Sequence, residues 1–104
     1  MRLDDLGREL DRAPTSVYEG IAAGIITEPV RLSARAIRWP QYEIEILKQA
    51  LVAGLSVDQR RELVALLHRA RVEVLPEVEV RDTGIAFIKD CAAKNAATAQ
   101  KRAA

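Results

Sequence analysis

The chain has a single cysteine, a single histidine, and few aromatic residues: one Trp, two Tyr and one Phe in 104 residues. Each shortage closes a class of chemistry. With Cys91 alone, no intrachain disulfide forms and no cysteine-based zinc site assembles. With His68 alone, a histidine metal cage or a His-dependent catalytic triad lacks its parts. Glu43 and Glu45 point to opposite faces of a helix and make no acid/base pair, and Cys91 has no histidine near it in sequence, so it reads as a small packed residue and not a nucleophile. No stretch approaches the ~20 apolar residues that span a bilayer, the charged start (Arg2, Asp4, Asp5, Arg8) is unlike a secretory leader, and no internal repeat is visible. The expectation is a soluble protein of the bacterial cytoplasm, of a bacterium or phage, with no membrane contact, no metal, no cofactor and no enzymatic activity.

A chain of this length holds one domain with one modest core. Its apolar side chains are mostly Leu, Ile, Val and Ala, which favours helices. The formal net charge of +1 is unhelpful to nucleic-acid binding as a whole, but placement matters more than the sum. From Pro29 to Tyr42 there are three arginines and no carboxylate, and a local patch binds phosphate on a neutral protein.

Leu3, Leu6 and Leu10 recur at helical spacing over residues 2–10. Asp11-Arg12-Ala13-Pro14 interrupts that helix, and Pro14 with Thr15 and Ser16 opens a second one. The second helix turns Val17, Tyr18, Ile21 and Ala22 inward and stops at Gly24, a left-handed cap. Two short helices joined by a tight turn have the size of a helix-turn-helix. Pro29 to Trp39 then reads as a short hairpin showing cations on one face and packing Val30, Leu32, Ile37 and Trp39 on the other. A basic hairpin beside two short helices is the working part of a winged helix. Helices at 41–53 (Ile44, Leu47, Leu51 inward, Gly54 ending it) and 57–71 (Leu63, Leu66, Leu67, Ala70 inward) follow, the latter opened by a capping box at Ser56 and Gln59. Val72 to Val80 alternates apolar and charged residues as a strand does, broken at Pro76. Ile85 to Ile88 is a short apolar cluster, and Cys91–Ala104 an Ala-rich helix that frays at its end.

The residues Ser16-Val17-Tyr18, Ile21-Ala22-Ala23-Gly24, Pro29-Val30-Arg31-Leu32 and Arg35-Ala36-Ile37-Arg38-Trp39 resemble the AlpA-like prophage regulators and excisionases, small proteins with a MerR-like winged helix-turn-helix. The resemblance covers about residues 2–54, extends loosely to the Gly54–Arg71 stretch, and leaves 72–104 unmatched. It implies DNA binding for transcription control or prophage excision. Thr15, Ser16 and Tyr18 would begin the recognition helix in the major groove, Arg31, Arg35 and Arg38 would lie on the wing near phosphates or the minor groove, and Trp39 would anchor the wing. The chain departs from that pattern at Pro14 and Glu19, where relatives often carry cations. Fewer phosphate contacts lower both affinity and its salt dependence, so the departure predicts weak binding, or dependence on an oligomer or a partner.

The expected fold is mainly α with a small β-hairpin wing, a winged helix-turn-helix plus a C-terminal helical extension. Residues 1–55 form the DNA-binding unit, 56–71 a supporting helix, and 72–104 a strand-like segment and helical tail offering an oligomerisation or partner surface. Candidate DNA contacts are Arg12, Thr15, Ser16, Tyr18, Arg31, Ser33, Arg35 and Arg38. Arg60 and Arg61 read as a solvated helix face and His68 as a surface or satisfied histidine. The expected partner is double-stranded DNA, read by a homo-oligomer, with RNA polymerase or an integrase as a further partner. The competing expectation is a protein-interaction module on the same fold that binds RNA polymerase, a recombinase or a host defence complex.

Overall fold

A computed structural model of the chain describes residues 1–103, with side chains described as far as Ala99. Among the described residues there are five helices and one two-stranded antiparallel hairpin: α1 (Leu3–Glu9), α2 (Pro14–Ala22), β1 (Val30–Arg31), β2 (Ile37–Arg38), α3 (Gln41–Val52), α4 (Val57–Val72) and α5 (Glu77–Ala103). The protein is mainly helical with a small hairpin, and none of its described helices is long and apolar enough to cross a membrane.

Local signals set most of the boundaries. Asp4 and Asp5 lie in the first turn of α1, where the helix dipole favours acids. The chain then reverses at Asp11, whose φ of 52° is one an aspartate tolerates. In that turn the Arg12 amide donates to the Gly7 carbonyl at 2.7 Å. A β-carbon on Gly7 would come within 2.6 Å of the Arg12 carbonyl oxygen, so only glycine lets the two helices close this tightly. Pro14 takes the first position of α2, and Gly24 follows that helix at φ 79°, as the sequence predicts. Ser56 and Gln59 form the expected capping box, with the Gln59 amide donating to Ser56 Oγ at 3.2 Å and the Ser56 amide to Gln59 Oε1 at 2.9 Å.

One contiguous core runs through the molecule. Leu6 of α1, Val17 of α2, Ile26, Trp39, Ile44 and Leu47 of α3, Leu63 and Leu67 of α4, and Val80, Ile88 and Cys91 of α5 all belong to it. The long α5 packs along both α3 and α4. Gln59 and Asn95 join the start of α4 to α5 through a reciprocal amide pair, at 2.9 and 3.0 Å. Glu43 in the first turn of α3 is only 1% exposed. It accepts two hydrogen bonds from Arg71, near the end of α4, at 2.7 Å (Nε) and 2.5 Å (Nη2).

Several expectations are corrected. The alternating Val72–Val80 stretch is no strand: Val72 ends α4, Val74 turns the corner at φ 54°, Pro76 precedes α5, and Val78 and Val80 lie in its first turns. Of its valines only Val80 is buried, so the alternation never faces a core. The Ile85–Ile88 cluster and the Ala-rich stretch from Cys91 belong to that same α5; the expected fraying at its end lies outside the described residues. In α2, Val17 and Gly20 are buried while Tyr18 and Ala22 are exposed, because packing on α1 selects the face one residue round from the expected one. Leu51 is exposed and Ile46 takes a buried place against α5. Arg61 is more than a solvated residue: its Nε donates to the Ala23 carbonyl at 2.9 Å and satisfies the end of α2. Arg60 is half-buried.

Cys91 sits on the buried face of α5, and burial, with Asp90 adding to it, pushes its thiol pKa up. The protonated thiol is therefore favoured further into alkaline pH than in a free cysteine, and reaction, which needs the thiolate, is slow. Titration with a thiol reagent at neutral pH should give slow labelling in native buffer and rapid labelling of one thiol per chain in denaturant. Rapid native labelling would contradict this packing.

Candidate nucleic-acid interface

The hairpin is short because its pairing is short. Val30 pairs with Arg38 and Arg31 with Ile37, and the loop between them is closed by the Leu32 and Ser33 amides, which donate to the Ala36 carbonyl at 2.8 and 3.3 Å. Arg31 Nη1 reaches the Ala34 carbonyl at 3.5 Å and the Arg35 amide donates to Ser33 Oγ at 3.4 Å, so the loop folds onto itself. Trp39 joins the hairpin to the core. Its ring is buried, and its Nε1–H donates to the Thr27 carbonyl at 2.7 Å. His68 adds a second tie from α4, accepting at Nε2 from the Glu28 amide at 3.0 Å, so the histidine is satisfied as expected.

The candidate residues divide into three groups. Arg31, Ser33 and Arg35 are exposed on the hairpin. Arg38 is half-buried, and its Nη1 donates to the Ile37 carbonyl at 2.7 Å. Among the described residues none of the three hairpin arginines makes an ion pair, whereas Arg8, Lys48, Arg61, Arg71, Arg81 and Lys94 each do. Thr15 and Tyr18 are exposed on the outer face of α2 together with Glu19 and Ala22. That face carries one acid and no cation. Arg12 and Ser16 are turned toward each other: Arg12 Nη1 donates to the Ser16 carbonyl at 3.0 Å and to its Oγ at 3.2 Å, and both are half-buried.

One exposed residue of the hairpin was not anticipated. Leu32 is 66% exposed, between Arg31 and Ser33. Its alternation with Val30 suggested an inward side chain, but the strand ends at Arg31 and the alternation ends with it. The arrangement as a whole is two short helices with a tight turn, then a cationic loop fixed to the core by a buried tryptophan. Such a surface can attract phosphates by charge and hold its donors in place while doing so. No family model, curated protein or solved structure matches the chain.

Proposed function

We propose that α1, α2 and the hairpin act as a winged helix-turn-helix that binds double-stranded DNA, with α2 entering the major groove and the hairpin following the adjacent backbone or minor groove. In this reading the protein is a non-enzymatic regulator of a phage or mobile element working in the bacterial cytoplasm, an AlpA-like transcription factor or an aid to excision. The observation that carries the reading is the hairpin: Arg31, Arg35 and Arg38 make no ion pair among the described residues, in a stretch without a carboxylate. A cation already paired with a carboxylate gains little from phosphate, while an unpaired one releases DNA counterions in full. Thr15 and Tyr18 on the outer face of α2 supply hydroxyls for the groove.

The test is fluorescence anisotropy of a labelled duplex from upstream of the protein's own gene, beside a scrambled duplex, across a salt series. Tighter binding to the native sequence with a negative log–log salt slope is expected. The Arg31→Ala/Arg35→Ala variant should bind more weakly, and its slope should be shallower by about 0.9 for each phosphate contact removed. Equal affinity and equal slope for wild type and variant would overturn the assignment.

A second reading, a protein-interaction module on the same fold, is favoured by one observation. The outer face of α2 offers Glu19 and no cation, while Arg12 is occupied with Ser16. Under that reading, association with purified RNA polymerase or an integrase survives the loss of Arg31 and Arg35.

A further inference from the structure

α5 is longer than the helices it packs against. Its 27 residues run for about 40 Å, whereas α3 has 12 and α4 has 16. Val80, Gly84, Ile88 and Cys91, with half-buried Asn95, form its inner face. Among the described residues the outer face has no partner within the chain. It exposes Val78 (70%) and Ile85 (40%), together with Asp82, Ala86, Lys89 and Ala93. At 100° per residue these six positions fall within about 100° of arc, a single stripe along the helix.

Most of the described charges elsewhere on α5 are paired, Glu79 excepted. Arg81 is paired with Glu77 and Glu45, and Lys94 with Asp90, in contacts of 2.8–3.1 Å. Among the described residues Asp82 and Lys89 make no ion pair. They lie seven residues apart, about 10.5 Å along the axis. Side chains on one helix meet at spacings of three or four, so these two cannot satisfy each other. They are equidistant from the point between Ile85 and Ala86, one acid and one base. A face with that symmetry is complementary to itself when turned end for end.

We propose that α5 pairs antiparallel with α5 of a second copy of this chain, about a two-fold axis between Ile85 and Ala86. In that register Asp82 faces the partner subunit's Lys89, and Lys89 faces the partner subunit's Asp82, so each of these charges is answered once and the dimer gains two ion pairs. Ile85 meets the partner subunit's Ala86, and Val78 meets the partner subunit's Ala93. Each large apolar side chain is opposed by a methyl group, which lets the two helices approach without a clash. The interface is isologous, as a two-fold pairing requires. The seam is short and belongs among the small interfaces, so association is concentration-dependent. This inference goes beyond the DNA-binding reading and does not rest on it.

The experiment is sedimentation equilibrium of the full chain without DNA, over a concentration series, for wild type, Asp82→Lys, Lys89→Asp and the Asp82→Lys/Lys89→Asp exchange. Wild type should shift from one chain to two as concentration rises. Each single reversal places like charges opposite one another at two symmetric points and should weaken association at least about tenfold. The exchange restores opposite charges in the same register and should recover wild-type association. Both positions are exposed, so at a concentration where wild type is a single chain, far-UV circular dichroism and thermal unfolding should match wild type in every variant. A wild type that stays monomeric, single reversals that leave the association constant unchanged, or a folded exchange variant that fails to recover it would each overturn the pairing. Ile85→Ser gives an independent check, with weakened association expected and unchanged association counting against the seam.

Discussion

Replacing Arg71 by alanine should lower the unfolding free energy by about 3–5 kcal/mol, the range seen when one partner of a buried ion pair is removed. Glu43 is 1% exposed and its carboxylate takes both of its described hydrogen bonds from the Arg71 guanidinium, in a bidentate fork. Without Arg71 that carboxylate has no partner and little water. The loss is a large share of the 5–15 kcal/mol that holds a domain together, and it should depress Tm by about 12 °C or more in a chain of this size. The pair joins the first turn of α3 to the last turn of α4. The control is Glu43→Leu/Arg71→Met. Removing both charges and filling the space is often neutral or stabilising, so the double variant should recover most of the loss. Urea and thermal unfolding read both outcomes. A fall below about 1 kcal/mol for Arg71→Ala would mean that the pair is as solvated as a surface bridge.

Trp39→Ala should cost about 3–5 kcal/mol, as removal of large buried aromatic side chains does. The ring is 1% exposed and among the largest buried side chains. Its loss also leaves the Thr27 carbonyl without the indole donor. Trp39→Phe separates the two terms. It keeps most of the packing, removes the hydrogen bond, and should cost about 1–3 kcal/mol, the penalty for a buried polar group left unpaired. Under the proposed DNA-binding reading, the alanine variant should also weaken DNA binding more than its stability loss explains when measured well below its Tm, because the hairpin is then free to move against α2. Equal unfolding free energies for Trp39→Ala and Trp39→Phe would show that the ring contributes no packing. Unchanged DNA affinity in a folded Trp39→Ala protein would show that the hairpin needs no anchor.

Much of the secondary structure is legible in local signals. Pro14, Gly24, Gly54 and the Ser56–Gln59 box each act within a few residues, so helix starts and stops around them follow from the sequence. The hairpin is legible for a similar reason: Pro29 and Pro40 bracket it, and Val30 and Ile37 lie on its paired strands. The cationic stretch of the candidate site is equally plain, because the absence of acids from Pro29 to Tyr42 is a property of the chain alone.

Other features depend on contacts between residues far apart in the chain or on a local signal outweighed by the hydrophobic pattern. Val72 to Val80 has the period of a strand, yet among the described residues no strand lies free to pair with it, and the Pro76 and Val74 corner turns it into the junction of two helices. The face that α2 buries follows from the tight turn at Gly7 and Arg12, which rotates Tyr18 outward. Arg12 and Ser16 read as free donors until their mutual hydrogen bonds are seen.

The sequence by itself determined a mainly helical chain, one basic hairpin and most helix ends, because caps, proline, glycine and hydrophobic period act over a few residues. The tertiary structure alone decided that Glu43 and Arg71, 28 residues apart, form a buried pair, that Leu32 stands outside, and that α5 covers α3 and α4 while, among the described residues, its other face stays open. Those outcomes depend on which surfaces meet once the helices pack, and desolvation acts only then.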